Sequence, residues 1–152
     1  MISEGATILY SDGTTHNNGV GVILSQEIAK SLLDWQPVGD KILTVRLHSH
    51  YTKVCIVQVY APTNAASENE KEDFYNLLEA TLATLPHHDM KLVIGDFNAQ
   101  IGPEKKDWEE VIGKERVGTR SDNGEKLLNF CRGNEMKIGG TLCSHKNIHK
   151  WT

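Results

Sequence analysis

The sequence is poor in cysteine and has no long apolar run. Its 152 residues include three cysteines, Cys55, Cys131 and Cys143, and this odd number without a short paired spacing argues for reduced thiols rather than a disulfide framework. No stretch approaches the ~18 apolar residues that a membrane span needs, and residues 1–11 lack the basic start and apolar run of a signal peptide. These absences predict an intracellular protein, nuclear or cytoplasmic, that is not secreted and has no membrane partner.

The sequence also lacks an excess of positive charge. Lys and Arg number 16 against 20 Asp and Glu, which gives a net charge of −4. This balance argues against a domain whose affinity comes from covering DNA phosphates with basic side chains, so any role on nucleic acid would depend on local contacts. Hydrophobic residues at 39% and charged residues at 24% are typical of a globular chain. The length predicts one domain over residues 1–152.

Strand patterns dominate both ends of the chain. Residues 6–10 and 20–24 are separated by turn residues and predict a hairpin. Alternation of apolar and polar residues over 43–48 predicts a strand with one wet face, whereas the unbroken apolar runs 54–57 and 92–94 are typical of central strands covered on both faces. Short strands are further predicted at 136–138 and 148–152.

Two helices interrupt these strands. Ser67 and Glu70 form a capping-box pattern that opens the first helix, and Pro86 ends it. Its apolar residues at helical spacing are Phe74, Leu77, Leu78, Leu82 and Leu85. The second helix is predicted to begin at Asp122, with Glu125 three residues later, and to end at Gly133. Its predicted buried residues are Leu127, Phe130 and Cys131. Strands covered on both faces, with helices between them, indicate layers of helix packed on sheet.

The sharpest local signal is KLVIGDFNA over residues 91–99, an apolar strand that ends in a carboxylate and a carboxamide. Residues i and i+2 of an extended chain point to one side, which would bring Asp96 and Asn98 to one site while Phe97 turns into the core. Asp96 would accept a proton from an attacking water or hold a cation, and the Asn98 amide would donate to a phosphate oxygen. An Asx turn is the alternative interpretation, and spacing alone leaves both open.

A second strand breaks in a similar way, at VQVYAPTN over residues 57–64. Tyr60 stands next to the break at Pro62, where its hydroxyl could donate to a phosphate oxygen. The alternative is a core tyrosine whose hydroxyl reaches water.

Taken in order, the motifs resemble the endonuclease/exonuclease/phosphatase superfamily. They are NGVGVIL at 18–24, VYAPT at 59–63, IGDFNA at 94–99, NGEKLLNFC at 123–131 and HKWT at 149–152. Within the superfamily, they resemble the endonuclease domains of non-LTR retrotransposons and the group of proteins related to craniofacial development protein 2.

The resemblance implies a fold and a chemistry. The implied fold class is α/β (α+β), a deoxyribonuclease I-like four-layer sandwich of two mainly antiparallel or mixed β-sheets flanked by helices. The implied reaction is DNA, or RNA, phosphodiester hydrolysis assisted by Mg²⁺ or Mn²⁺. Asp96 would orient or deprotonate the attacking water and contact the metal indirectly, with Asn98 and Tyr60 as the other catalytic residues. Asn98, Tyr60 and Thr152 would contact the substrate phosphate.

The sequence also departs from the family pattern. The family places a metal-binding Glu in a Gln-Glu-Thr setting near its start and an Asp-His pair near its end, and neither motif lies in residues 1–152. Gln26-Glu27 follows the 18–24 motif, where the family has a surface turn. Such groups each typically contribute ~10² to 10⁴ in rate, so we expect a partial domain with weak or absent catalysis. Unpaired sheet edges are expected to favour self-association.

Two other interpretations stay open. Cys131, Cys143, His145 and His149 could form a zinc site, although their spacing lacks two close pairs of ligands. A catalytically inactive remnant of the same fold could instead bind nucleic acid or a protein. DNA nicking distinguishes the enzyme from the remnant.

Overall fold

The computed structural model describes residues 2–3, 5–11, 19–104, 106–114 and 118–142. Its strands are β1 Ile2–Ser3, β2 Ala6–Tyr10, β3 Gly21–Leu24, β4 Leu32–Val38, β5 Ile42–His48, β6 Lys53–Tyr60 and β7 Met90–Asp96. Its α-helices are α1 Gln26–Ala29, α2 Glu68–Thr84 and α3 Asp122–Gly133, and a 3₁₀ helix follows at Gly139–Thr141. The predicted mixture of sheets and helices is confirmed.

The described residues divide into two compact units. The first takes in those of Met1–Ala61 and Ala80–Asp96, and the second those of Pro62–Glu79 and Phe97–Thr152. All seven strands lie in the first unit, whereas α3 and the 3₁₀ helix lie in the second. Helix α2 begins in the second unit and ends in the first.

The first unit contains two sheets. One is antiparallel with the order β1-β2-β3, and its β2–β3 pair is the predicted hairpin. The other has the order β4-β5-β6-β7 and is mixed, because β7 runs parallel to β6. The two sheets share one hydrophobic cluster, which consists of Leu9, Val20 and Leu24 from the hairpin region and Leu43 and Val45 from β5. Burial of this cluster holds the sheets together.

Strand β5 differs from the prediction of one wet face. Ile42, Leu43, Thr44 and Val45 are all buried, and because successive side chains point to opposite faces, both faces are covered in this half of the strand. The predicted alternation is therefore wrong for the first half of this strand. Strand β6 is central as predicted, because it lies between β5 and β7. The residues of one face, Cys55, Val57 and Val59, are 0% exposed, whereas those of the other face are half-buried.

Strand β7 also differs from its prediction, but it is more exposed than the sequence indicates. Its apolar run predicted a central strand covered on both faces, yet among the described residues β7 is the last strand of its sheet. Leu92 is 45% exposed and Ile94 is 44% exposed. An apolar run shows that a strand can be buried but does not show that it is buried. Here the described residues cover one face of β7 incompletely.

Helix α2 begins at the capping box that the sequence predicts. The Ser67 hydroxyl donates to Glu70 Oε2 at 2.9 Å and accepts from the Glu70 backbone N–H at 3.3 Å, and the Ser67 backbone N–H donates to the same carboxylate at 3.0 Å. These bonds satisfy backbone donors that the first helical turn leaves open. Phe74 and Leu78 are buried as predicted, whereas Leu77 is 43% exposed.

Helix α3 also matches its prediction, with its cap one residue earlier. The cap is Ser121, whose hydroxyl accepts from the Gly124 backbone N–H. The predicted apolar residues are buried together with neighbours from the loop that precedes the helix, and this set is Trp108, Val111, Ile112, Leu127, Leu128, Phe130 and Cys131. The Arg132 guanidinium stacks 3.7 Å from the centre of the Trp108 ring and so covers the indole.

The chain after α3 is not the strand predicted at 136–138. The Ile138 N–H donates to the Val111 carbonyl at 2.9 Å, which is a single bond rather than a ladder, and a 3₁₀ helix follows at once. The two glycines at 139 and 140 favour that turn over an extended chain. The strand predicted at 148–152 lies outside the described residues.

Candidate active site

The carboxyl ends of β6 and β7 lie side by side in the first unit. These strands pair in parallel register from Val54 with Met90 to Tyr60 with Asp96, the last residue of each. Directly paired residues of adjacent strands, ~4.8 Å apart, send their side chains to the same face of the sheet. The Ala61 N–H then donates to the Asp96 carbonyl at 2.8 Å and extends the pairing by one step. The phenol and the carboxylate singled out in the sequence therefore belong to neighbouring positions at one sheet end.

Gly95 fixes how closely the two strands approach just before Asp96. Its φ is +141°, and a Cβ built there would lie 1.9 Å from the Val59 carbonyl oxygen. No side chain fits in that space. The glycine of the Ile-Gly-Asp sequence is thus required by packing against β6.

Tyr60 and Asp96 have different surroundings. Tyr60 is half-buried, and its ring packs against the hydrophobic cluster between the sheets, as the alternative interpretation of this residue suggested. Asp96 is exposed. A ring held by the core has few orientations, whereas the Asp96 side chain is in contact with solvent. The pair can offer one hydroxyl donor and one anionic acceptor.

Asn98 belongs to the second unit and follows the end of β7. Its φ is +47°, in the left-handed region that residues other than glycine rarely adopt. The alternation expected of an extended chain therefore does not reach Asn98, and the prediction that spacing alone aligns it with Asp96 has no support. Asn98 is half-buried, and its carbonyl accepts a hydrogen bond from the Asn123 side chain at 3.1 Å.

The first turn of α3 holds this segment of the second unit. The Ser121 N–H donates to the Gln100 carbonyl at 2.9 Å, and the Gln100 N–H donates to the Ser121 hydroxyl at 3.0 Å. Asn123 is 1% exposed, and its Nδ2 donates both to the Asn98 carbonyl and, at 2.8 Å, to the Pro62 carbonyl. One buried amide thus joins the loop after β6 to the loop after β7.

In the sequence, Asn123 stands out only as part of a family motif, and no role was predicted for it. A signal was present, because Asn and Gly are both unfavourable inside a helix and here they stand in the first turn. Residues that are unfavourable in their own secondary-structure element often make a contact with another part of the chain.

The structure does not place the remaining predicted site residues beside Tyr60, Asp96 or Asn98. Thr152, Cys143, His145 and His149 lie outside the described residues. Cys131 is buried on α3, and burial raises the pKa of its thiol to about 11. Within the described part of the chain, no three His, Cys, Asp or Glu side chains group as metal ligands.

No helix among the described residues is both long and apolar enough to cross a membrane.

Comparison with known proteins gives relatives in sequence. The chain is 29% identical over 137 residues to craniofacial development protein 2 of Bos taurus and 28% identical to that of Tragulus javanicus, with 89% of the chain covered in each case. It spans only 23% and 24% of the length of these two relatives. No protein-family model matches the chain.

A solved structure gives the fold. The endonuclease domain of TRAS1, a telomere-specific non-LTR retrotransposon, superimposes with a TM-score of 0.55 and 15% identity, over 90% of this chain and 58% of that domain. The chain therefore has the fold of a deoxyribonuclease I-like endonuclease domain, and the predicted fold class is confirmed. These two likenesses, to craniofacial development protein 2 in sequence and to a non-LTR retrotransposon endonuclease domain in fold, are the ones that the sequence motifs predicted.

Proposed function

We propose that the chain is the central part of an endonuclease that hydrolyses DNA phosphodiester bonds with the help of a divalent metal ion, and that it derives from a retrotransposon domain. The observation that carries the proposal is the pairing of Tyr60 with Asp96 at the carboxyl ends of adjacent parallel strands, in a chain with the fold of an endonuclease domain. The proposed origin is supported by the structural neighbour, which is itself a domain of a retrotransposon.

Each side chain has a role that follows from its chemistry. Asp96, as an exposed carboxylate, orients the attacking water or accepts its proton. Tyr60 donates its hydroxyl to a phosphate oxygen, with its ring anchored in the core. Asn98 donates its amide to a phosphate oxygen as negative charge builds in the transition state. Thr152 is proposed as a further phosphate contact.

The residues present fit Mg²⁺ or Mn²⁺ in donor type. Both ions prefer oxygen ligands, and Mg²⁺ keeps several waters and is commonly bound through one or two carboxylates plus substrate phosphates. Asp96 would hold the ion through water. When bound, the ion neutralises charge on the phosphate oxygens. One carboxylate predicts weak metal affinity and weak catalysis by this chain alone.

The proposed partner is a nucleic acid, DNA before RNA. The net charge of −4 means that few phosphates are neutralised by general attraction, so we expect the affinity to fall only slightly with salt.

Nicking of supercoiled plasmid by the purified chain tests the proposal. We expect slow nicking with Mg²⁺ or Mn²⁺ and none with EDTA. Asp96→Asn keeps the shape of the side chain and removes its charge, so it should lower the nicking rate by about 100-fold or more. Asp73→Asn, on an exposed acid of α2, is the matched control and should nick as the wild type does.

Three results would count against the enzyme. Equal nicking by the wild type and Asp96→Asn would point to a contaminating nuclease. Binding of a labelled duplex without nicking, measured by fluorescence anisotropy, would favour the inactive binding module. Absence of both would contradict any role on DNA for this chain alone.

A further inference from the structure

Asn123 is a buried amide that makes its contacts outside its own helix. Its Nδ2 donates to the Pro62 carbonyl at 2.8 Å and to the Asn98 carbonyl at 3.1 Å. Its backbone N–H donates to Asn64 Oδ1 at 3.4 Å. An amide nitrogen carries two hydrogens and can serve two carbonyls at once, which a hydroxyl cannot do.

The rest of the first turn of α3 shows that this approach is built into the fold. A Cβ on Gly124 would lie 1.8 Å from the Gln100 carbonyl oxygen, so only glycine lets the helix come so close. Ser121 exchanges two hydrogen bonds with Gln100 at the same place. The turn therefore lies against the chain at two residues, Asn98 and Gln100.

An ion pair with helix α2 holds the N-terminus of α3 in place. Lys71 is 3% exposed, and its Nζ lies 2.8 Å from Asp122 Oδ2 and 3.0 Å from Glu68 Oε1. The hydrogen bonds that Lys71 donates to Asp122 and then to Glu68 raise the pKa of Lys71, so its ammonium group stays charged at neutral pH. A helix start held in this way is a rigid support for Asn123.

The backbone conformation of Asn98 is the feature that this support would fix. A φ of +47° lies in the left-handed region, which asparagine adopts more readily than most residues with a Cβ but which is still uncommon, and a hydrogen bond to the backbone of the residue can select it. The hydrogen bond from Asn123 fixes the carbonyl of this same residue. A fixed backbone at Asn98 limits the directions that its amide side chain can take.

We propose that Asn123 is a positioning residue that holds Asn98 in its left-handed conformation and so preorganises the phosphate-binding amide. The proposal rests on the proposed function for its effect on rate, but its structural half can be measured without activity.

The test uses Asn123→Asp, which keeps the shape of the side chain and replaces the donor by an oxygen facing two carbonyls. Asn123→Ser, which keeps one donor, is the milder variant. Asn129→Asp is the control, because it makes the same change on an exposed residue of α3. Circular dichroism checks that each variant folds.

The first readout is the three-bond coupling between the amide and α protons of Asn98, which reports φ directly by NMR. We expect Asn123→Asp to change this coupling and to shift the Asn98 amide signal, and Asn129→Asp to leave both unchanged. An unchanged Asn98 in folded Asn123→Asp would overturn the proposal.

The second readout is nicking. Asn123→Asp should lower kcat by about 10- to 100-fold and change KM by less than about twofold, because the lost interaction acts in the transition state. In an Asn98→Ala background, the same change should cost less than about twofold. Losses that multiply in the double variant would overturn the proposal, since Asn123 would then act independently of Asn98.

Two further outcomes are decisive. Failure of both Asn123→Asp and Asn123→Ser to fold would show that the amide serves the fold as a whole, and it would overturn the positioning role. Absence of nicking by the wild type would contradict the proposed function, whereas the NMR coupling would still decide whether Asn123 sets the conformation of Asn98.

Discussion

At the scale of single residues, position 95 accepts only glycine without a change in the surrounding structure. Its missing Cβ leaves room for the Val59 carbonyl, 1.9 Å from where that atom would lie, and its φ is +141°. We expect Gly95→Ala to lower the free energy of unfolding by about 3 kcal/mol, because the added Cβ either clashes with the Val59 carbonyl or forces the backbone to move. Urea unfolding followed by circular dichroism measures this loss.

A matched glycine provides the control for this change. A Cβ on Gly133 would meet nothing within 4 Å, so Gly133→Ala at the end of α3 should change the stability by less than about 1 kcal/mol. Equal effects of the two substitutions would show that the close approach of β6 and β7 is not required.

How far the site could be predicted depends on the kind of residue. Asp96 and Tyr60 each end an apolar strand, and a strand-end motif is visible in sequence, so their placement at strand ends was predictable. The positive φ of Asn98 agrees with a turn, the alternative that spacing left open, whereas the hydrogen bond from Asn123, which is distant in the chain, could not be predicted. Spacing rules assume a regular backbone and fail where tertiary contacts set the dihedral angles.

At the scale of elements, Asp89 links three strands of the mixed sheet. It precedes β7, its Oδ2 lies 2.7 Å from Arg46 Nε on β5, and it accepts from the Cys55 thiol on β6 at 3.3 Å. The hydrogen bond from Arg46 lowers the pKa of Asp89 below its ordinary 3.8. Burial, followed by the bond to Asp89, raises the pKa of Cys55 to about 11. The cluster is therefore an ion pair with a neutral thiol at pH 7.

The lowered pKa of Asp89 sets the direction of an acid effect. A carboxyl group with a lower pKa in the folded state stabilises that state above its ordinary pKa, and the stabilisation is lost as pH falls through the folded value. We expect the urea midpoint to fall on acidification below about pH 4. Asp89→Asn should lower the midpoint at pH 7 and weaken this acid dependence.

The control for the acid effect is Asp73→Asn, which neutralises an exposed carboxylate on α2. It should keep the midpoint and the acid dependence of the wild type. Parallel curves for Asp89→Asn and the wild type would contradict a stabilising role of the ion pair.

The elements differ in how much of them the sequence predicts. Helices α2 and α3 carry their own start signals, Ser67 with Glu70 and Ser121 with its neighbours, so local chemistry located them. Strand β4 was missed because five of its seven residues are exposed and Pro37 lies within it. An edge strand can contain proline and needs no apolar alternation, since its stability comes from pairing with β5.

At the scale of the whole molecule, the edge formed by β7 predicts association. No strand of the described residues pairs with the far side of β7, and Leu92 and Ile94, on one face of this strand, are nearly half exposed. An apolar edge is a template for pairing with another chain, and a second copy supplies the same edge. We expect sedimentation velocity to show a dimer whose share grows with protein concentration.

One charge on this edge should oppose the association. Ile94→Lys places a cation that both copies must bury, so the dissociation constant should rise by about tenfold or more. Ile28→Lys is the control, because Ile28 is 45% exposed on α1, away from β7 in the chain. A wild-type chain that stays monomeric at all concentrations, or equal dimerisation of both variants, would contradict pairing through β7. Dimerisation lost only in Ile94→Lys would also explain the exposed apolar run, since an edge that another chain covers has the composition of a central strand.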